Sequence, residues 1–400
     1  MAAPAQTHLI RAWHQPHHWR NRLTKWVLLL LDLGLQFFAI KPLWPSIALA
    51  QPIHCGCWLI EILVVTFYAF YNKYTGYDNS ISSVVTTVLF TAKILAHFTV
   101  LLEVIFMRHK RKRILEVRER IVLTLRVHLQ RPLDEEQVAW HLAIQLFVLI
   151  VFQVALLMLF MFIQFEQLYW FAMLSVLALK CRILEFLSFI VMVNGSICAL
   201  RRNIDEIGSR NLQCLMRLPS ISVHQEYGRK FHMYKDEQQL ILLKNIHNDL
   251  NLIFRDLNDY YGWSLLAITT VYFVDFVCNS YWILLAILKQ YYGFSGFIQN
   301  SCFVLSDAIM LSMLCWHCQK STNNSRKIGC LVFKLVKPLG NKRYNDLVSD
   351  FSLQTLHQQF TVTAKDFFQL NLNLLGNMVA AIVTYLVILL QFMLSEKSQL

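Results

Sequence analysis

Seven long apolar runs, each followed or preceded by a loop of strongly biased charge, restrict this 400-residue chain more than any other feature. They lie at roughly 53–72, 81–107, 141–163, 169–198, 263–288, 297–317 and 371–394. About 20 mostly apolar residues suffice to cross the hydrocarbon core of a bilayer as a helix. With 56% hydrophobic and only 16% charged residues, the chain has too little polar surface to cover a soluble globule. The expected fold class is therefore all-α: a polytopic membrane protein with seven transmembrane helices. The net charge of +12 sits between the apolar runs rather than in a surface stripe. That distribution points to orientation in a lipid bilayer and contact with anionic lipid, with no nucleic-acid partner.

The charges also set a direction. Nine Lys and Arg residues fall between 108 and 138, nine between 199 and 262, and eight between 318 and 370. The intervening loops hold only Lys73 and Lys289, and the tail only Lys397. Basic loops stay cytoplasmic, so the N-terminus, with Arg11, Arg20, Arg22 and Lys25, is expected inside and the C-terminus outside. The apolar stretch Trp26–Ile40 would reverse this if it spanned, and Asp32 interrupts it; it reads as a re-entrant or interfacial helix. A signal peptide ending near Ala48–Leu49–Ala50 is the alternative, opposed by Asp32, Lys41, Pro42 and Pro45.

The expected organisation is a cytosolic N-terminus over 1–52, four spans over 53–198 and a cytosolic linker and helix over 199–262. Two spans follow over 263–317, then a cytosolic loop and helix over 318–370, and a last helix with a short tail over 371–400. Within the second cytosolic region Leu243, Ile246, Leu250, Ile253, Leu257 and Tyr260 recur at steps of three and four, one apolar stripe on a helix. The stripe suits either packing inside the chain or assembly between subunits.

In the last run Asn377, Thr384 and Gln391 lie seven residues apart, each turned only about 20° from the one before. Tyr385 and Phe392 form a second seven-residue pair beside them. Polar groups are costly against lipid, so this stripe must face protein or water. Helix packing satisfies that requirement, and so does a pore wall built from several copies around an axis.

The run Thr384-Tyr385-Leu386-Val387-Ile388-Leu389-Leu390-Gln391-Phe392 resembles the signature of insect gustatory receptors in their last helix. Length, span number, inverted topology and the aromatics Phe367 and Phe368 agree with it. The resemblance implies a homotetrameric, ligand-gated, non-selective cation channel, lined by the seventh helix and gated at Gln391 and Phe392. It passes monovalent and divalent cations and takes a small organic tastant in a pocket within each subunit. The same resemblance implies the plasma membrane of sensory neurons, subunits alone or mixed with other gustatory receptors, and mostly cytosolic subunit contacts, which would make the stripe from Leu243 to Tyr260 an assembly helix. Sugar-responsive members place Glu after Thr-Tyr; Leu386 stands here, which favours a bitter-type or orphan receptor.

Four ionisable residues fall mid-span: Lys93, Lys180, Asp275 and Asp307. Each must face the bundle interior. They can pair with one another, or line the pocket with Trp170, Tyr272, Tyr281 and Trp282, whose aromatic walls suit an amphipathic ligand. No nucleotide loop, nucleophile elbow or zinc-protease helix motif is present, so no enzyme, cofactor or metal is expected. Cys315–Trp316–His317–Cys318 lacks the second ligand pair of a zinc site, and the sequons at Asn194 and Asn323 fall in a span and a cytosolic loop. A G-protein-coupled receptor would need the basic loops outside, and a transporter would favour paired broken helices.

Overall fold

The computed structural model describes residues 19–43, 49–75, 81–129, 135–163, 167–216, 223–287, 294–337 and 341–399. The described residues are helical almost throughout. In order come α1 (Trp19–Phe37), α2 (Ala50–Thr75), α3 (Ile81–Val127), α4 (Glu135–Ile163), α5 (Gln167–Met216), α6 (Val223–Ile287), α7 (Phe294–Phe333), α8 (Lys342–His357) and α9 (Leu372–Gln399). A two-residue hairpin, β1 (Thr363–Ala364) with β2 (Phe368–Gln369), precedes α9.

Among the described residues, seven helices are long and apolar enough to cross a membrane: α2 to α7 and α9. α1 is not among them. It lays Val27, Leu31 and Leu35 into the core against α4 and α5 and leaves Trp26 and Leu30 exposed. The two charges that interrupt this stretch answer each other, since Lys41 pairs with Asp32. The turn after α1 runs through Ala39 at φ 59° and is clamped by the Trp58 indole, which donates to the Phe37 carbonyl at 2.9 Å. Residues 44–48, which hold part of the alternative cleavage site, lie outside the described residues.

The helices outrun their apolar segments at the basic end. α3 has 47 residues, α5 50 and α6 65; at 1.5 Å per residue α6 is about 97 Å long. Among the described residues α3 and α6 form the most extensive helix pair. Lys110 bonds Asp256 at 3.3 Å and Asp259 at 2.8 Å, and Arg113 meets Asp256 at 3.1 Å.

This packing covers the apolar stripe on α6 within one chain. Leu243, Ile246, Leu250, Ile253, Leu257 and Tyr260 are each at most 1% exposed within one chain. Within one chain this stripe is spent on holding the helices of the subunit together. α8 closes over the same region. Asn341 caps it by accepting from the Tyr344 amide at 3.0 Å. Tyr344 is buried and its hydroxyl accepts from Asn211 at 2.8 Å; burial pushes that phenol up to about 12, so it stays neutral.

Candidate functional site

Two features among the described residues bear most directly on function. One is a stack of buried ions, the other the outer face of α9.

The four mid-span charges pair off. Lys93 meets Asp275 at 2.9 Å and Lys180 meets Asp307 at 3.3 Å. Lys180 also donates to Gln153 at 2.6 Å and to Ser306 at 3.0 Å. This is the alternative that needs no ligand. Tyr272 is 3% exposed and its hydroxyl has no hydrogen-bond partner among the described residues. Tyr281 and Trp282 belong elsewhere: with Val85 and Cys278 they form a small second core that touches Leu386, Leu389 and Leu390 of α9. The side chain of Trp170 lies outside the described residues.

A second ionic cluster was not singled out from sequence. Arg182 of α5 is 1% exposed. Its guanidinium bonds Glu103 of α3 at 3.2 Å, Glu185 at 2.9 Å and the Tyr260 carbonyl at 3.0 Å. The rings of Tyr260 and Tyr261 flank it at 4.4 and 4.1 Å, a cation–π clamp whose worth rises with desolvation. Arg111 completes the set on Glu185 at 2.9 Å. The rule that flagged Lys93 and Asp275, an ionisable residue inside an apolar run, applies equally to Glu103, Arg182 and Glu185. It was enough to find them.

The last helix is different in kind. Asn371 caps its start, accepting from the Leu374 amide at 3.0 Å. α9 then packs on α6 and α7 through one face, on which Leu374, Leu375, Met378, Ile382, Leu386, Leu389 and Leu390 are buried or partly buried. Asn377, Thr384 and Gln391 each stand two residues beyond Leu375, Ile382 and Leu389. Two residues turn a helix by about 200°, so the polar stripe turns away from its own bundle. All three are exposed, and Thr384 bonds only the Ala380 carbonyl of its own helix, at 3.1 Å. Phe392 is 63% exposed; Tyr385, half-exposed at the edge of the stripe, rests on Phe273 with ring centroids 5.7 Å apart. Packing within one chain therefore does not account for this polar stripe.

Both the sequence and the fold have matches among known proteins. Residues 49–396 fit the family model described as 7tm Chemosensory receptor. The chain belongs to that family. It is 46% identical over 225 residues to Gustatory receptor 23a of Drosophila melanogaster, covering 56% of this chain and 58% of the relative. It is 26% identical over 230 residues to Putative gustatory receptor 39b of the same fly, covering 56% and 59%. The chain thus spans somewhat more than half the length of these relatives. Its fold is that of the insect olfactory receptor OR5 from Machilis hrabei, with TM-score 0.64 at 12% identity over 93% of this chain and 99% of that one. The same receptor solved with eugenol gives a TM-score of 0.61. This chain is thus a multi-pass membrane protein of a chemosensory receptor family, and that family is one of receptors rather than enzymes.

Proposed function

We propose that this chemosensory receptor is a gustatory ligand-gated cation channel, assembled from several copies whose α9 helices line a central pore. The observation that carries the proposal is the outward polar stripe of α9. Asn377, Thr384 and Gln391 face neither their own bundle nor a partner within the chain, and lipid is a poor solvent for amides and hydroxyls. Copies arranged around an axis would give each stripe a water-filled channel to face. Four copies are the number the family resemblance implies. Gln391 and Phe392 would then form a polar and an apolar ring near the outer end of the helix.

The ligand is a small amphipathic organic compound, bitter-type or orphan rather than sugar, since Leu386 replaces the acidic residue of the sugar class. Binding of eugenol by OR5 supports a ligand of that chemistry. The buried half of the bundle around Tyr272 and the two ion pairs is the region proposed to receive it, with Tyr281 and Trp282 between it and α9. Sensory-neuron plasma membrane is the proposed location. Cells expressing the chain should pass inward cation current on exposure to a panel of amphipathic aromatic compounds that begins with eugenol. A receptor that reaches the surface yet conducts under no member of the panel, and under no gate mutation, would overturn the channel reading.

Orientation gives a second expected outcome. An epitope placed after Leu400 should be stained on intact cells, because the basic loops hold the opposite end inside. Staining that requires permeabilisation would invert the bundle and return the α9 stripe to ordinary contact with another protein.

A further inference from the structure

The hydrogen-bond ladder of α6 is engaged from outside at one level. In a regular helix the Ser264 amide donates to the Tyr260 carbonyl, four residues back. Here the amides of Trp263 and Ser264 donate to the Glu103 carboxylate at 2.9 and 3.0 Å. The Tyr260 carbonyl accepts from Arg182 at 3.0 Å. The donor and the acceptor of one rung are thus held by side chains of α3 and α5. The Ser264 hydroxyl also bonds Glu103. A carboxylate on two successive amides is how the start of a helix is capped, and a cation on a carbonyl is how an end is capped. Both arrangements occur inside α6, at residues 260–264, where the helix itself runs unbroken; side chains that engage a helix ladder are a recognised source of kinks.

Between these caps stands Gly262. A Cβ at that position would lie 3.3 Å from both the backbone nitrogen and Cδ of Lys365, tighter than an ordinary contact, so glycine favours this close approach of the two segments. Lys365 and Asp366, at φ 49° and 62°, form the turn of the β1–β2 hairpin that leads into α9. Asn258 ties the same hairpin to α6: it donates to the Thr361 carbonyl at 3.0 Å and accepts from the Thr363 amide at 3.1 Å.

We infer that Gly262 is a hinge in α6, held closed by Glu103 and Arg182 as end caps, and that the β1–β2 hairpin rides on it so that bending at Gly262 moves the base of α9. The joint links the ion-paired bundle to the helix proposed as the pore wall. Its meaning for gating rests on the channel reading, while the joint itself does not. Glu103 and Arg182 are positioning residues: they touch neither the pore nor the region proposed for ligand.

The test is hydrogen–deuterium exchange of the full-length receptor in lipid nanodiscs, which needs neither ligand nor current. Glu103→Gln keeps the volume and one acceptor oxygen but removes the charge. Exchange over 260–266 and over 361–370 is expected to rise at least tenfold, with exchange over 303–314 of α7 unchanged. A rise spread evenly over the bundle would show a purely structural cluster, and no rise would show no hinge; either overturns the inference. Gly262→Ala provides the independent arm, pressing on Lys365 without touching the ions. It should raise exchange over 361–370 by a similar factor, whereas Gly56→Ala, with nothing within 4 Å of the added carbon, should not. A hairpin unaffected by Gly262→Ala would break the link to α9. Failure of the unmutated receptor to conduct would overturn the channel reading and leave these exchange results standing.

Discussion

Replacing Arg182 by Leu is expected to be the most destabilising single change in the bundle. The guanidinium is the common partner of Glu103 and Glu185, whose side chains are 1% and 2% exposed. Without it Glu185 keeps Arg111, but Glu103 is left as a buried carboxylate facing only the amides of Trp263 and Ser264 and the Ser264 hydroxyl. Removing one partner of a buried pair costs about 3–5 kcal/mol, a large share of the stability of any domain. Thermal unfolding of the detergent-purified receptor should show the loss as a lower midpoint, and surface abundance in cells should fall with it. The double variant Arg182→Leu with Glu103→Gln should recover much of the difference, because the orphaned charge is gone. A contrasting control is Lys112→Ala. Its partner Glu116 is 3.6 Å away, and the two side chains are 80% and 56% exposed, so water screens the pair and the midpoint should not move. If Arg182→Leu unfolds no earlier than that control, the cluster does not carry the weight assigned to it.

Gln391→Lys is expected to have the largest effect on conduction. If several α9 helices surround one pore, the substitution places a ring of ammonium groups where the polar ring stood, and cations meet a repulsive barrier in a narrow, poorly screened passage. Cation current should fall at least tenfold at unchanged surface expression, and Gln391→Glu should instead favour divalent over monovalent cations. The stability of the purified protein should change little in either variant, because Gln391 is exposed on its own chain. Equal currents in the unmutated, Lys and Glu forms would move the pore away from this stripe.

Some of the site was legible along the chain and some was not. The seven-residue spacing of Asn377, Thr384 and Gln391 identified the stripe, since helical geometry turns spacing directly into a face. It did not say which way that face turned. That depends on where Leu375, Ile382 and Leu389 find their own packing, which is a matter of α6 and α7. The stripe from Leu243 to Tyr260 shows the same ambiguity resolved the other way. Its period announced a buried face, but whether the covering came from α3 or from a second copy was invisible until the long extension of α3 was seen lying along it. Lys93, Lys180, Asp275 and Asp307 were recognisable as interior residues because charge in an apolar run has nowhere else to go. Their partners were not, since residues 182 positions apart, as Lys93 and Asp275 are, meet only through the fold.

By itself, then, the sequence determined the solvent, the number of crossings, the distribution of positive charge and the family. Hydrocarbon leaves a backbone few options, and the nine residues from Thr384 to Phe392 are specific enough to name relatives. The tertiary structure alone decided which ions pair, that α6 is capped from outside at Gly262, and that α9 presents its polar side away from its own bundle. These are contacts between distant segments, and local periodicity can say that a face needs a partner but not which partner it meets.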